Sequence, residues 1–147
     1  MAGRPGKPRG AAGKSGLMGC MPPREIVIVD DHEAVRDALL GMVEEAGYPA
    51  VAFSNATAAL ARIAEQRPAL VLLDMMMPEV DGADFLRRLA RLADGRSVPV
   101  IVVSAIGHLL QGLRRSEADA VGVAEVLPKP VSYTTLIEAV RRVIGPP

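Results

Sequence analysis

The run Leu70-Val71-Leu72-Leu73 ends on a single carboxylate, Asp74, and is followed by Met75-Met76-Met77-Pro78. Four apolar residues with no polar alternation read as a strand buried on both faces. Such a strand delivers its acid to the loop at its carboxyl end, where the proline forces a turn. Two further runs stop in the same manner, Ile26-Val27-Ile28-Val29 on Asp30-Asp31 and Val100-Ile101-Val102-Val103 on the hydroxyl of Ser104. A fourth segment, Glu125-Val126-Leu127-Pro128-Lys129-Pro130, supplies an amine. If these strands are parallel, three carboxylates, one hydroxyl and one ammonium gather at their carboxyl edge, where open α/β sheets place their chemistry.

The intervening segments carry helical periodicity, so strand and helix alternate in five βα units, the pattern of a parallel sheet. Strands are expected over 25–29, 50–53, 69–73, 98–103 and 124–127. Helices are expected over 32–46, from a Ser54 or Asn55 cap to Gln66, over 83–93 and 106–120, and after a Ser132 cap. Val35, Leu39, Met42 and Val43 share one face of the first helix, and Leu60 and Ile63 one face of the second. Phe85, Leu86, Leu89 and Leu92 form the stripe of the third, and Leu136, Ile137 and Val140, with Val143 or Ile144, that of the last. Gly47 ends the first helix, Pro68 blocks extension of the second, Asp94-Gly95 close the third, and Gly107 and Gly112 make the fourth irregular. Right-handed crossovers and cover on both faces predict a doubly wound, flavodoxin-like (βα)5 fold of the α/β class, with a five-stranded parallel sheet in the order 2-1-3-4-5.

Half of the 147 residues are apolar, enough for one domain with a full core. The net charge of zero is unevenly spread, because residues 1–24 hold Arg4, Lys7, Arg9, Lys14 and Arg24 and no acid. Rich in Gly and Pro and without apolar period, this basic tail is expected to be disordered, leaving 25–147 as the folded domain. A basic arm suits an anionic surface or nucleic acid. No aromatic residue interleaves the charges for base stacking, so an idle solvated tail is the reading adopted. Met18 and Met21 offer later starting points for translation. Cys20 is the one cysteine, which excludes a disulfide framework and a cysteine zinc site, and no apolar run is long enough to span a bilayer. A cytoplasmic location is expected. His32 and His108 are too few to suggest a metal centre by themselves; the former is placed at a helix start and the latter in a loop. Neither GxGxxG after the first strand nor GxxxxGK[ST] occurs, which disfavours dinucleotide and P-loop chemistry.

Three carboxylates in one place repel one another, and a hard divalent cation offsets that repulsion. Mg²⁺ takes oxygen ligands, keeps several waters, and uses one or two carboxylates together with a phosphate oxygen. Asp30, Asp31 and Asp74 suit that role without closing a cage. With a cation beside it, Asp74 can attack a phosphoryl group as a nucleophile. Metal and Lys129 would neutralise the charge on the phosphoryl oxygens, and Ser104 would donate a hydrogen bond to one of them after transfer.

In this order, Asp30-Asp31, the run Asp74-Met75-Met76-Met77-Pro78-Glu79-Val80-Asp81-Gly82, Ser104-Ala105 and Lys129-Pro130 make the chain resemble the response-regulator receiver domains of two-component signalling. The resemblance covers about residues 25–145. It implies that Asp74 accepts a phosphoryl group from a histidine kinase. It implies further that Asp30, Asp31, Asp74 and the backbone carbonyl of Met76 hold Mg²⁺, that Ser104 is the switch hydroxyl, and that Lys129 contacts a phosphoryl oxygen. The bond between Lys129 and Pro130 is then expected to be cis. Such a protein is a signalling phosphoacceptor that catalyses only its own phosphotransfer and dephosphorylation. The reading adopted is a stand-alone receiver with no DNA-binding domain, switching an unknown downstream protein, with a homodimer as one option. A phosphorelay intermediate feeding a histidine phosphotransfer protein, and a constitutive scaffold, are the alternatives. A phosphohydrolase is disfavoured, because Met76 stands where such enzymes carry a second acid. Taken singly, each feature has a plainer account: Asp30-Asp31 could cap a helix, the methionines could fill the core, and Lys129 could be a solvated surface residue.

The chain departs from the family at two places. Val126 stands three residues before the lysine, where the family carries Tyr or Phe, so no ring is available to swing inward on the face formed by the fourth strand, the helix after it and the fifth strand. The interval from Ser104 to Lys129 is also longer than usual, which points to a remodelled output face. Met76 and Ile106, each two residues beyond the acceptor and the switch hydroxyl, cannot orient an attacking water. Slow autodephosphorylation is expected, and a phosphoryl lifetime unchanged by Met76→Asn with Ile106→Glu would refute it.

Overall fold

A computed structural model describes residues 25–75, 77, 82–92, 97–105 and 123–147. In chain order these form β1 (Ile26–Val29), α1 (Glu33–Glu45), β2 (Ala50–Phe53), α2 (Ala56–Glu65), β3 (Leu70–Leu73), α3 (Gly82–Arg91), β4 (Val100–Ser104), β5 (Val123–Pro128) and α4 (Tyr133–Ile144). The expected tail over 1–24, the helix over 106–120 with its Gly107 and Gly112, and the Asp94-Gly95 closure lie outside the described residues.

All five strands are parallel and lie side by side in the order β2-β1-β3-β4-β5, the arrangement expected from the sequence. Residue parity along the strands sorts the interior into two cores. Val27, Val29, Val71, Leu73, Val100 and Val102 face Ala59 and Ile63 of α2 and Phe85, Leu86 and Leu89 of α3. Ile26, Ile28, Leu70, Leu72, Ile101 and Val103 face Leu39 and Val43 of α1 and Leu136, Ile137 and Val140 of α4. Both faces of β1, β3 and β4 are therefore buried at every position, which is why these strands lack alternation, whereas the edge strand β2 is half-buried throughout. Each fully buried Leu, Ile or Val contributes about 1.5–3 kcal/mol relative to exposure.

The helix ends follow from local chemistry. Asn55 caps α2 by accepting from the Ala58 N–H at 2.8 Å, and Ser132 caps α4 by accepting from the Thr135 N–H at 3.2 Å. Gly47, just past α1, takes φ 103°, a conformation that glycine adopts without steric cost. Strand β4 begins two residues later and ends one later than expected. Pro99 has no N–H to donate, so regular pairing starts after it, and Ser104 still pairs in register with Pro128. A register shift between Val100 and Ile101 leaves Ala124 as an extra residue in β5. At the far end of the sheet the Tyr48 hydroxyl donates to the Gly145 carbonyl at 2.6 Å, tying α4 to the turn after α1.

Candidate functional site

The polar residues at the carboxyl edge hang on main-chain bonds one step beyond their strands. The Asp30 N–H donates to the Phe53 carbonyl at 3.1 Å, the Asp74 N–H to Val29 at 3.0 Å, and the Lys129 N–H to Ser104 at 3.0 Å. Ladder geometry thus aims Asp30, Asp74 and Lys129 at one point. Their side chains meet there: Lys129 Nζ donates to Asp30 Oδ2 at 2.9 Å and stands 3.6 Å from Asp74 Oδ1. Asp30 is wholly buried and Asp74 only 3 % exposed, so the ammonium works in a poorly solvated setting where charge interactions are strong. Asp30 Oδ1 accepts from the His32 N–H at 2.9 Å, and the Asp30 carbonyl accepts from Arg36 Nη1 at 3.1 Å. The Lys129–Pro130 peptide is cis. Ser104 is fully buried at the end of β4.

An open cleft of about 220 Å³ lies over this cluster, lined by His32, Val35, Asp74, Ala105 and Lys129. Beside it, Ala34, Ala38 and Met42 of α1 and Pro130 and Val131 border a largely apolar groove of about 520 Å³ whose charged member is Lys129. One donor atom from each of Asp30, Asp31, His32 and Asp74 lies within 4.8 Å of the others. Three carboxylates and one ammonium leave two negative charges, the complement of one divalent cation. Asp31 Oδ1 is buried and accepts no hydrogen bond among the described residues, although His32 Nδ1 is 3.3 Å away. A buried carboxylate oxygen short of donors is costly unless a cation serves it. Donor set, charge and burial all fit a hard divalent ion such as Mg²⁺.

The family model for the response regulator receiver domain matches residues 26–141. The chain belongs to the response-regulator receiver domain family. Receiver domains are the phosphoacceptors of two-component signalling, and they interact with histidine kinases. The chain is 34% identical over 132 residues to the phosphate regulon transcriptional regulatory protein PhoB of Pseudomonas aeruginosa, covering 86% of this chain and 55% of that protein. It is 29% identical over 123 residues to the polar-differentiation response regulator DivK of Brucella anthropi, covering 84% of this chain and 98% of that protein. This receiver spans about half the length of the curated relatives it first matches. Among solved structures, the receiver domain of the sensor histidine kinase PA1611 from Pseudomonas aeruginosa, with a magnesium ion in its active-site cleft, superposes with TM-score 0.72 at 28% identity, covering 84% of this chain and 98% of that one. The chemotaxis protein CheY4 of Vibrio cholerae shares the fold, with TM-score 0.73 at 23% identity over 82% of this chain and 98% of that one.

Of the residues singled out in the sequence, Asp30, Asp31, Asp74 and Lys129 converge on the cleft, and Ser104 is joined to Lys129 through its carbonyl. Met76, whose carbonyl the resemblance assigns to the metal, lies outside the described residues, as do Pro78 to Asp81 and Ile106. Val126 is half-buried, paired in register with Val102, and packs against the core under α2 and α3. Two residues were missed by sequence reasoning. His32 sits at the helix start as expected but also joins the acid cluster, and its position directly after Asp30-Asp31 was the available signal. Arg36 left no signal, since its bond is to a main-chain carbonyl. Among the described residues no helix is long and apolar enough to cross a membrane.

Proposed function

We propose that Asp74 accepts a phosphoryl group from the phosphohistidine of a histidine kinase in a Mg²⁺-dependent reaction, and that the aspartyl phosphate switches binding to a downstream protein. The observation that carries this reading is the Lys129 ammonium standing between Asp30 and Asp74 in a buried cluster whose residual charge matches one divalent cation. Asp30, Asp31 and Asp74 would hold that ion, which when bound screens the phosphoryl oxygens and the acceptor from one another. An oxygen of Asp74 forms the bond to phosphorus as the donor's phosphorus–nitrogen bond breaks. The electron pair departs on the imidazole nitrogen, which takes a proton. Lys129 neutralises charge on the phosphoryl oxygens, and Ser104 donates a hydrogen bond to one of them. Val126 has no ring to reorient, so the response travels through the Ser104 end of β4 and its main-chain bond to Lys129.

The test is intact mass after incubation with Mg²⁺ and acetyl phosphate, run beside Asp74→Asn. One phosphoryl group gained by the parent and none by the variant is the expected result. Equal labelling of both, or labelling of neither, would overturn Asp74 as the acceptor.

A further inference from the structure

We propose that the imidazole of His32 is a ligand of the cation at this site and biases it toward divalent ions that accept nitrogen, Mn²⁺ in preference to Mg²⁺. The inference rests on the proposed cation site and deepens it. His32 Nδ1 lies 3.3 Å from Asp31 Oδ1 and 3.6 Å from Asp30 Oδ1. Two donors in adjacent positions around an ion with bonds of about 2.1 Å stand about 3.0 Å apart, and opposed donors about 4.2 Å apart. The spacings from Nδ1 to the two carboxylates fall in that range.

The backbone holds the ring there. The His32 N–H is spent on Asp30 Oδ1 at 2.9 Å, and its carbonyl accepts from the Arg36 N–H at 2.8 Å. Both ends of the residue are therefore fixed, one to the acid cluster and one to the first turn of α1. The side chain does not cap the helix, although His32 occupies the cap position. The imidazole is two-thirds exposed at the rim of the cleft, with the ring nitrogen turned to the two carboxylates. A neutral imidazole adds a donor without altering the charge balance, so three carboxylates, Lys129 and one divalent ion still sum to neutrality. Mn²⁺ accepts the same carboxylate and water ligands as Mg²⁺ but, as a first-row transition ion, also coordinates imidazole, which Mg²⁺ binds poorly, so one nitrogen among oxygens shifts preference toward Mn²⁺.

Pulsed electron paramagnetic resonance of bound Mn²⁺ reads the ligand directly. The protein is labelled with ¹⁵N-histidine. His108 is the other histidine, and His32→Gln isolates its contribution. The parent is expected to show hyperfine coupling from a histidine nitrogen that His32→Gln loses, and the Mn²⁺-over-Mg²⁺ preference should fall roughly tenfold in the variant. Mn²⁺ bound in the parent without histidine coupling would overturn the role of His32 while leaving the cation site standing. Failure of Mn²⁺ to bind either protein would overturn the cation site itself.

Discussion

Replacing Gly82 by alanine should slow phosphorylation of this receiver while the same change at Gly41 should not. The Gly82 N–H donates to the Met75 carbonyl at 3.1 Å, and the two residues press together. A Cβ on Gly82 would overlap Met75 Sδ and stand 2.7 Å from Met75 Cα, where ordinary contact begins at 3.4 Å. A flexible side chain can swing aside, but the Met75 backbone must retreat by about 0.7 Å, an overpacking strain of about 1–3 kcal/mol. Met75 follows Asp74 directly, so the carboxylate proposed as acceptor moves with it. A misplacement approaching 1 Å is worth up to about a hundredfold in rate, so phosphorylation of Gly82→Ala from acetyl phosphate should be roughly 10–100-fold slower. A Cβ added at Gly41, inside α1, would meet nothing within 4 Å, so Gly41→Ala should stabilise by about 0.5–1 kcal/mol and leave the rate unchanged. Time courses of intact mass, with thermal unfolding of the same samples, measure both. A Gly82→Ala protein phosphorylated at the parental rate would refute the claim that this contact positions the acceptor.

Lys129→Ala leaves the buried Asp30 carboxylate without its ammonium, which should cost about 3 kcal/mol in chelator. Without the ammonium beside Asp30 and Asp74 the cluster binds Mg²⁺ more tightly, and at one saturating Mg²⁺ concentration each tenfold gain in affinity adds about 1.4 kcal/mol, so thermal shifts should show a larger Mg²⁺ gain in the variant than in the parent, and an equal gain would count against the site. Arg62→Ala removes the guanidinium of α2 that donates to both Glu25 oxygens at 2.8–3.2 Å and should cost about 1 kcal/mol in low salt, less in high salt by urea unfolding. Hydrogen bonding to Glu25 raises the Arg62 pKa above its ordinary value. A raised folded value makes the arginine's contribution complete below that ordinary value and lost only above it, so the cost should not vary with pH around neutrality on its account.

The fold was legible because burial on both faces leaves a mark that needs no alignment: β1, β3 and β4 carry no polar residue before their terminal acid or hydroxyl. Asp30, Asp74 and Lys129 were legible for the same reason, since a parallel sheet brings the ends of its strands together whatever the helices do. His32 was not, because a lone histidine after an acidic pair has an adequate explanation as a helix start. Its proximity to Asp31 depends on the turn into α1, which period and propensity do not encode. The contact between Gly82 and Met75 was hidden likewise. The glycine belongs to the motif quoted above, but what crowds it is the backbone and side chain of a residue seven positions earlier. Hydropathy alone places the start of β4 too early, because Val98 is buried yet Pro99 cannot donate to a neighbour.

Charge accounting links the site to its output under the proposed chemistry. Three carboxylates, Lys129 and one divalent cation are neutral before transfer. Phosphorylation replaces one carboxylate by a group of about −1.5 to −2 charge, leaving an excess of negative charge beside Asp74. Lys129 divides its attention unevenly, 2.9 Å from Asp30 and 3.6 Å from Asp74. The added charge draws it toward the acceptor and away from Asp30. The same residue donates its backbone N–H to Ser104 at 3.0 Å, so a shift of the side chain strains the bond that joins the ends of β4 and β5. Ser104, recruited to the phosphoryl oxygens, pulls on that bond from the other side. With valine rather than an aromatic ring at 126, the proposed switch would reach the surface through this junction. Amide hydrogen exchange at Lys129 should therefore accelerate on phosphorylation, by about tenfold for each 1.4 kcal/mol by which the local opening becomes easier. Unchanged protection at Lys129 in a fully phosphorylated sample would refute this coupling.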